Sequence, residues 1–475
     1  MPVVVDTRRA SLALVLMALL GIALVFLFPG SPEQDTYYHF LQAKAAWANP
    51  DYFIGVWSRP LFTAVFALPD RVGFMAGRFF AVALGVATAW QAWRLALDLK
   101  LERAWLVIPF LLAQPVFFEL YPDMLTEPLF GFVFVIAVRW HLRGWVKRAM
   151  VLASFLPLAR PEGFFLGVLW GVWALAGAAA GGELRRPAVG KILRAIPSTL
   201  LLATGTAVWW FAALCISHDP LFIPHHWPSQ WHQGMYGQGN ILSYAGRSVE
   251  FLGALLVVPF LAGLWKTVRL RTWMPLTSSF LLLFVLHSIF RVHGLFGEAG
   301  YPRYMVSVAP ATAVITLQGW NMLAARLARW PRLRAAVAWG IVAFSLAQSF
   351  VYLDYLSWSR NAVAIDEMSR WLRATPVPHA RLIWSDARMC IDLGETVDTS
   401  PPISSQNDTT ANFLRNAPPG TLVFWDSHLG PDWFGLGIPD VEKCGYKILR
   451  DQSYSLRGVT GVAPFDTEVA LLVKQ

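Results

Sequence analysis

Six ionisable residues stand where a largely apolar chain makes charge costly: Asp35, Arg59, Glu127, Arg160, Glu162 and Arg303. A carboxylate or guanidinium at membrane depth costs about 3 kcal/mol or more, so such groups line water-filled space or pair with one another. Arg160-Pro161-Glu162 separates two apolar runs with almost no loop, and Glu127 follows Pro122 into an apolar run, so none of these can float in bulk water. A polar cavity opening to one side of the membrane accounts for them. Glu33, Asp51, Asp123, Arg291, His293 and Glu298 fall at the same level of the chain. Each taken singly reads equally well as an interfacial charge paired for topology; their grouping is what points to a site. Asp35 lies a few residues after the first apolar run. A half-buried carboxylate in such a place is suited to act as general base on a hydroxyl.

The elements that must position these residues are membrane spans. Of the 475 residues, 56% are hydrophobic and 15% charged, against about 25% charged in a soluble domain. A bilayer core needs roughly 20 apolar residues per helix, and eleven such runs occur, at about 11–29, 74–96, 104–120, 124–142, 150–161, 162–181, 196–217, 248–266, 275–292, 302–324 and 334–353. The chain therefore reads as an α-helical polytopic membrane protein. The fifth run is too short to cross alone and ends at Pro161, which predicts a broken or tilted helix. The first follows Arg8 and Arg9 but ends in Phe-Pro-Gly without a signal-peptidase pattern, so it reads as a retained span. With the N-terminus inside, Lys100/Arg103, Arg143/Lys147/Arg148, Arg185/Arg186/Lys191/Arg194, Lys266/Arg269/Arg271 and Arg326/Arg329/Arg332/Arg334 all fall in cytoplasmic turns. The formal charge of +9 is thus a matter of topology and gives no support to a nucleic-acid partner.

The opposite face receives a first loop at 30–73, a loop at 218–247, a short one at 293–301 and everything after 354. In the first loop Phe40, Leu41, Ala45 and Trp47 make an amphipathic stretch, which predicts a helix lying in the membrane interface and holding Asp35 at the cavity mouth. The domains are accordingly 1–353, spanning the membrane, and 354–475, a small external α/β domain. In the latter, helices are expected at Ala362–Leu372 and Asn412–Arg415, and strands at Arg381–Trp384, Leu422–Trp425 and Val469–Val473. A Cys390–Cys444 disulfide is chemically permitted there, with two buried thiols as the alternative. The loop His218-Asp219 to His232 gathers four His and one Asp. A divalent metal is conceivable on such ligands, but the spacing fits no metal motif, and contacts to sugar or lipid headgroups or plain loop structure suit it better. No other cofactor is implied. The sequon-like Asn407-Asp408-Thr409 matters only in a eukaryotic secretory compartment, whereas the preference for Arg over Lys points to a bacterial inner membrane with a periplasmic face.

The acid after the first span, the stretch through Tyr37, Tyr38 and Gln42, and Trp57-Ser58-Arg59-Pro60-Leu61-Phe62 together resemble the first external loop of GT-C glycosyltransferases such as protein O-mannosyltransferases and aminoarabinose transferases. Thr126-Glu127-Pro128-Leu129-Phe130, Ala159-Arg160-Pro161-Glu162-Gly163 and Pro302-Arg303-Tyr304 are similar to motifs of the same superfamily. The likeness covers roughly residues 10–325, and the C-terminal region resembles nothing we can name. Many relatives carry an Asp-Glu pair where this chain has Asp35-Thr36. The resemblance implies transfer of a sugar from a polyprenyl-phosphate donor to a lipid, glycan or protein acceptor on the outer face, usually with inversion. On that basis Asp35 is the expected base. Arg160, Arg303 and Arg59 would stabilise the departing phosphate, and Glu127 and Glu162 would orient those arginines or the sugar hydroxyls. An O-antigen ligase or polymerase is the nearest alternative, and a transporter a more distant one. The first typically carries its large external loop late in the chain, and the second would show related halves that this sequence lacks.

Overall fold

The computed structural model describes residues 2–475 apart from 29, 32, 181–188, 228–235, 272, 356–359, 376, 404–409 and 458–463. Arg185, Arg186, Trp231, His232 and the sequon-like triplet lie outside the described residues. In chain order the helices are α1 (Pro2–Leu27), α2 (Gln34–Ala45), α3 (Pro60–Val72), α4 (Phe74–Asp98), α5 (Val107–Leu112), α6 (Pro115–Leu120), α7 (Thr126–Leu142), α8 (Val146–Ala153), α9 (Leu156–Ala159), α10 (Glu162–Ala180), α11 (Val189–Thr199) and α12 (Thr204–Ser217). They continue as α13 (Phe222–His225), α14 (Ser243–Gly246), α15 (Ser248–Leu252), α16 (Val257–Arg269), α17 (Met274–His293), α18 (Ala309–Ala324), α19 (Pro331–Tyr355), α20 (Arg360–Ala374), α21 (Ala387–Leu393), α22 (Thr410–Arg415), α23 (Leu429–Phe434) and α24 (Ile438–Lys443).

Among the described residues, each apolar run expected to span contains α-helix. Five stretches among the described residues are long and apolar enough to cross a membrane unbroken: Asp6–Leu27, Phe74–Asp98, Leu193–Ser217, Met274–His293 and Pro331–Tyr352. Several others are interrupted, and the interruptions have local causes. The run at 104–120 splits into α5 and α6 because Gln114 is extended before Pro115, which cannot donate a backbone hydrogen bond. The run at 150–161 breaks into α8 and α9, as its length and Pro161 predicted. Gly253, at a φ of 89°, parts α15 from α16 in a conformation that only glycine adopts without strain.

By contacts the chain divides into two units, Met1–Leu27 with Pro50–Phe350, and Phe28–Asn49 with Val351–Gln475. The first is the helical, membrane-spanning unit. At its centre α18 is buried along most of its length and packs on α16. A Cβ added at Gly263 or Gly319 would collide with the backbone of the facing helix, the close approach that small residues permit between membrane helices.

The second unit carries a four-stranded sheet in the order β1-β2-β4-β3, with β1 (Arg381–Trp384), β2 (Thr421–Asp426), β3 (Tyr446–Arg457) and β4 (Pro464–Lys474). β1 and β2 are parallel; β4 pairs antiparallel with β2 and β3. All six residues of β2 are buried, as befits a strand covered on both faces, and Ile383, Val423, Trp425, Leu472 and Tyr446 share its core. The three expected strands all lie within β1, β2 and β4. β3 was not anticipated, because Lys447, Arg450, Asp451, Gln452 and Ser453 give it the polar character of an exposed edge strand. The contact division also places residues 28–49, expected with the membrane-spanning part, in this unit.

Cys390 and Cys444 are free thiols, both buried. The permitted disulfide is therefore absent, and Cys444 instead sits in the apolar core, where its Sγ donates to the Ala411 carbonyl at 3.5 Å. Burial pushes the Cys390 thiol up to about 12, so almost no thiolate exists at pH 8. Native protein treated with iodoacetamide at that pH should leave Cys390 unmodified until denaturant is added, and reductant should not shift its unfolding temperature. Fast alkylation of Cys390, or a mass two hydrogens short before reduction, would contradict this assignment.

Candidate active site

The Ala-Arg-Pro-Glu-Gly segment builds the centre of the first unit. Arg160 is extended, at φ −155° and ψ 143°, as the residue before a proline prefers. Glu162 follows in the first turn of α10, where the helix dipole favours a carboxylate. A Cβ on Gly163 would strike the backbone at Leu156 and Pro157, so only glycine lets α10 start this close to α9. Glu127 occupies the equivalent first-turn position of α7. Two helix starts thus aim carboxylates at one guanidinium. Arg160 Nη1 is 2.7 Å from Glu127 Oε1, and Arg160 Nη2 is 2.7 Å from Glu162 Oε1. Arg160 Nη1 also donates to Thr126 Oγ1 at 3.1 Å, and that hydroxyl donates to Glu127 Oε2 at 3.1 Å. Charge-assisted bonds of this kind are the strong ones, and burial of all three charged residues to 8% exposure or less makes them mutually dependent.

Arg303 joins this group through Glu127 Oε1, 3.6 Å from its Nε, and its guanidinium lies over the rings of Tyr301 and Tyr304 at 5.2 and 5.8 Å. Arg160 lies 5.0 Å over the Tyr304 ring as well. The sequence reading brought Glu127, Arg160, Glu162 and Arg303 to one level, and the structure brings them into one network.

Further members were missed. His287, in the middle of α17, places Nδ1 2.7 Å from Glu298 Oε2 and Nε2 3.5 Å from Glu162 Oε1, and its ring stacks on Tyr304 at 5.1 Å. Tyr244 donates its hydroxyl to Glu298 Oε1. Glu298 also accepts from the backbone N–H of Gly300 at 2.9 Å. A lone histidine inside an apolar helix was the available signal for His287. Glu162 Oε2 and His287 Nε2 are among the buried polar atoms without a hydrogen-bond partner among the described residues.

Arg59 belongs to the same unit. It stands at the N-cap of α3 with a φ of 60°, and its Nη1 donates to the Val56 carbonyl at 3.3 Å. A non-glycine residue held there stores about 1–3 kcal/mol of strain, which persists only where the surroundings fix it. Those surroundings are Ile54 and Val56, packed with Leu158 of α9 and Trp209 of α12.

Asp35 belongs to the second unit. It lies in the first turn of α2 and is half-buried; the helix cap is Glu33. Seven of the twelve residues of α2 are buried, Thr36, Tyr37, His39, Phe40, Leu41, Gln42 and Ala43. Of the amphipathic stretch expected to lie in the membrane interface, Phe40 and Leu41 are covered by protein, whereas Trp47 is 54% exposed. Nearby, burial and then the neighbouring Asp426 carboxyl raise the Asp386 carboxyl above the usual carboxylate range.

In the 218–226 loop, His225 Nδ1 lies 2.9 Å from Asp219 Oδ2, while His226 stacks on Phe222 at 4.0 Å and bonds its carbonyl. Among the described residues no three His, Cys, Asp or Glu side chains are grouped to hold a metal ion.

No protein-family model and no curated protein sequence matches the chain. Solved structures do. The crystal structure of ArnT from Cupriavidus metallidurans in the apo state aligns with a TM-score of 0.63, and that of the same protein bound to undecaprenyl phosphate with 0.62. Each covers 97% of both chains at 13% identity. At this identity the likeness speaks for architecture, and it extends over the C-terminal region that resembled no family by sequence. The chain therefore has an ArnT-like fold, a multi-span helical membrane protein with a small C-terminal β-sheet domain.

Proposed function

We propose that the protein is a membrane glycosyltransferase that moves a sugar from a polyprenyl-phosphate donor to a lipid, glycan or protein acceptor at the extracytoplasmic face of the plasma membrane. The observation that carries this reading is the buried network of Arg160 and Arg303 with Glu127 and Glu162, in a fold shared with a protein crystallised with undecaprenyl phosphate. The acceptor hydroxyl oxygen attacks the anomeric carbon and its proton passes to Asp35. The bond from that carbon to the phosphate oxygen breaks on the opposite face, which inverts the centre. Negative charge grows on the departing phosphate, where Arg303 and Arg59 supply preorganised cations. Arg160, bonded on both sides by carboxylates, fixes the frame, and the spare Glu162 Oε2 suits a sugar hydroxyl.

Purified protein offered radiolabelled undecaprenyl-phosphate-linked hexoses and pentoses, mannose and aminoarabinose among them, should release label from at least one donor. Failure with the whole panel, alongside solute uptake into vesicles containing the protein, would reject the reading in favour of a transporter. The sidedness is tested separately. Single cysteines introduced near 420 should react with an impermeant maleimide on intact spheroplasts, and those near 330 only after lysis. Labelling of both from the same side would overturn it.

A further inference from the structure

Within the second unit, α2 is anchored through three side chains on one face. Gln34 Nε2 donates to Asp386 Oδ2 at 3.0 Å. Arg388 Nη1 donates to Tyr37 Oη at 3.4 Å, with its guanidinium 5.6 Å over the same ring. Tyr38 meets the Trp384 ring edge-on at 5.8 Å. Positions 34, 37 and 38 are related by three and four residues and so share a helix face. Asp35 projects from the adjoining one.

The receiving groups are themselves fixed. Asp386 accepts from the Arg388 backbone N–H at 2.8 Å and so caps α21. Arg388 Nε is held by Asp392 at 2.6 Å, and the Trp384 indole N–H donates to the Ser400 carbonyl at 2.6 Å. The chain entering α2 is tied at the same point, because the Ser31 backbone N–H donates to Tyr37 Oη at 2.6 Å.

The location of this anchor in the sheet is informative. Trp384 ends β1 and Asp426 ends β2, the two parallel strands, and Ser385 Oγ links their ends by donating to Asp426 Oδ2. The space outside the carboxyl ends of parallel strands is where open sheets receive their ligands. Here the chain's own α2 is the occupant. A twelve-residue helix is marginal by itself in water, so the direction in which Asp35 points depends on what α2 is docked against.

We propose that the C-terminal unit is a positioning module for Asp35, and that Arg388, Asp386 and Gln34 are positioning residues that set the orientation of α2. The proposal rests on the reading of Asp35 as the general base. Misplacing a reacting group by about 1 Å costs roughly 10²-fold, so loosening α2 should lower turnover while leaving donor affinity alone.

The test combines hydrogen exchange with a double-mutant cycle on full-length protein, using whichever labelled undecaprenyl-phosphate sugar supports turnover. Arg388→Ala should accelerate exchange of amides 36–45, lower kcat by about tenfold or more and leave the donor KM within about twofold. Arg388→Lys, which retains a cation near Tyr37, should recover part of kcat. In an Asp35→Asn background Arg388→Ala should cause no further loss, because residues that act through one group are not additive. Equal losses in both backgrounds would overturn the proposal in favour of a general structural role, as would faster exchange in α2 with unchanged kcat. Parental kcat in Asp35→Asn alone would instead remove Asp35 as the base, and the positioning role would fall with it. Should Arg388→Ala fail to fold, Gln34→Ala carries the same comparison.

Discussion

Arg160→Ala is expected to lower stability by about 3–5 kcal/mol and to abolish measurable binding of a polyprenyl phosphate. The substitution leaves Glu127 and Glu162 facing each other in a site where neither is more than 8% exposed. Removing one member of a buried ion pair costs more than the pair contributes, since the remaining charge stays desolvated. Both carboxylates would lose their closest cation, leaving Glu127 with the longer 3.6 Å contact to Arg303 and Glu162 with His287 at 3.5 Å, and Thr126 would lose a donor as well. Arg160→Lys should fall between, because an ammonium is a point charge and lacks the planar fork that reaches both glutamates. Arg160→Ala combined with Glu162→Gln should regain part of the stability. Thermal unfolding in detergent reads all three. A loss below 1 kcal/mol for Arg160→Ala would mean that the network is solvated and does not organise the site.

Asp35→Asn addresses the chemistry and should leave stability nearly untouched. It retains size and hydrogen bonding but removes the basicity, and loss of a positioned base costs about 10²–10⁴-fold in rate. Donor affinity should be unchanged, in contrast with Arg303→Ala, which should weaken affinity and turnover together because the phosphate is charged before and after transfer. Asp35 is not the cap of α2, that position being Glu33, so a retained capping bond cannot account for the behaviour of the asparagine variant. A folded Asp35→Asn protein with parental turnover would pass the role of base to Glu127 or Glu162.

What the sequence made legible follows from how local each feature is. Ala-Arg-Pro-Glu-Gly carries its own geometry: the proline extends Arg160, the helix start takes Glu162, and the glycine allows close packing. Its partner Glu127 was visible as a carboxylate in a place that water does not reach. Glu298 was seen as a charge at the right level, yet its tie to His287 and Tyr244 joins three separate segments of chain, and no spacing rule connects them. The same limit explains α2. Its amphipathic pattern states that one face must be covered and is silent on whether lipid or protein covers it. The cysteines repeat the lesson, since a sequence permits a pairing without giving the distance. β3 was lost because an edge strand is polar, and polarity is what marks loops.

The central claim is that buried arginines of the helical unit hold a polyprenyl phosphate. Binding of radiolabelled undecaprenyl phosphate to purified protein in nanodiscs tests it most directly, with uncharged undecaprenol as the competitor that shares the lipid but not the phosphate. The account predicts saturable binding that undecaprenol does not displace, retained by Asp35→Asn and lost by Arg160→Ala and Arg303→Ala. Displacement by undecaprenol, or equal binding by all four proteins, would contradict it.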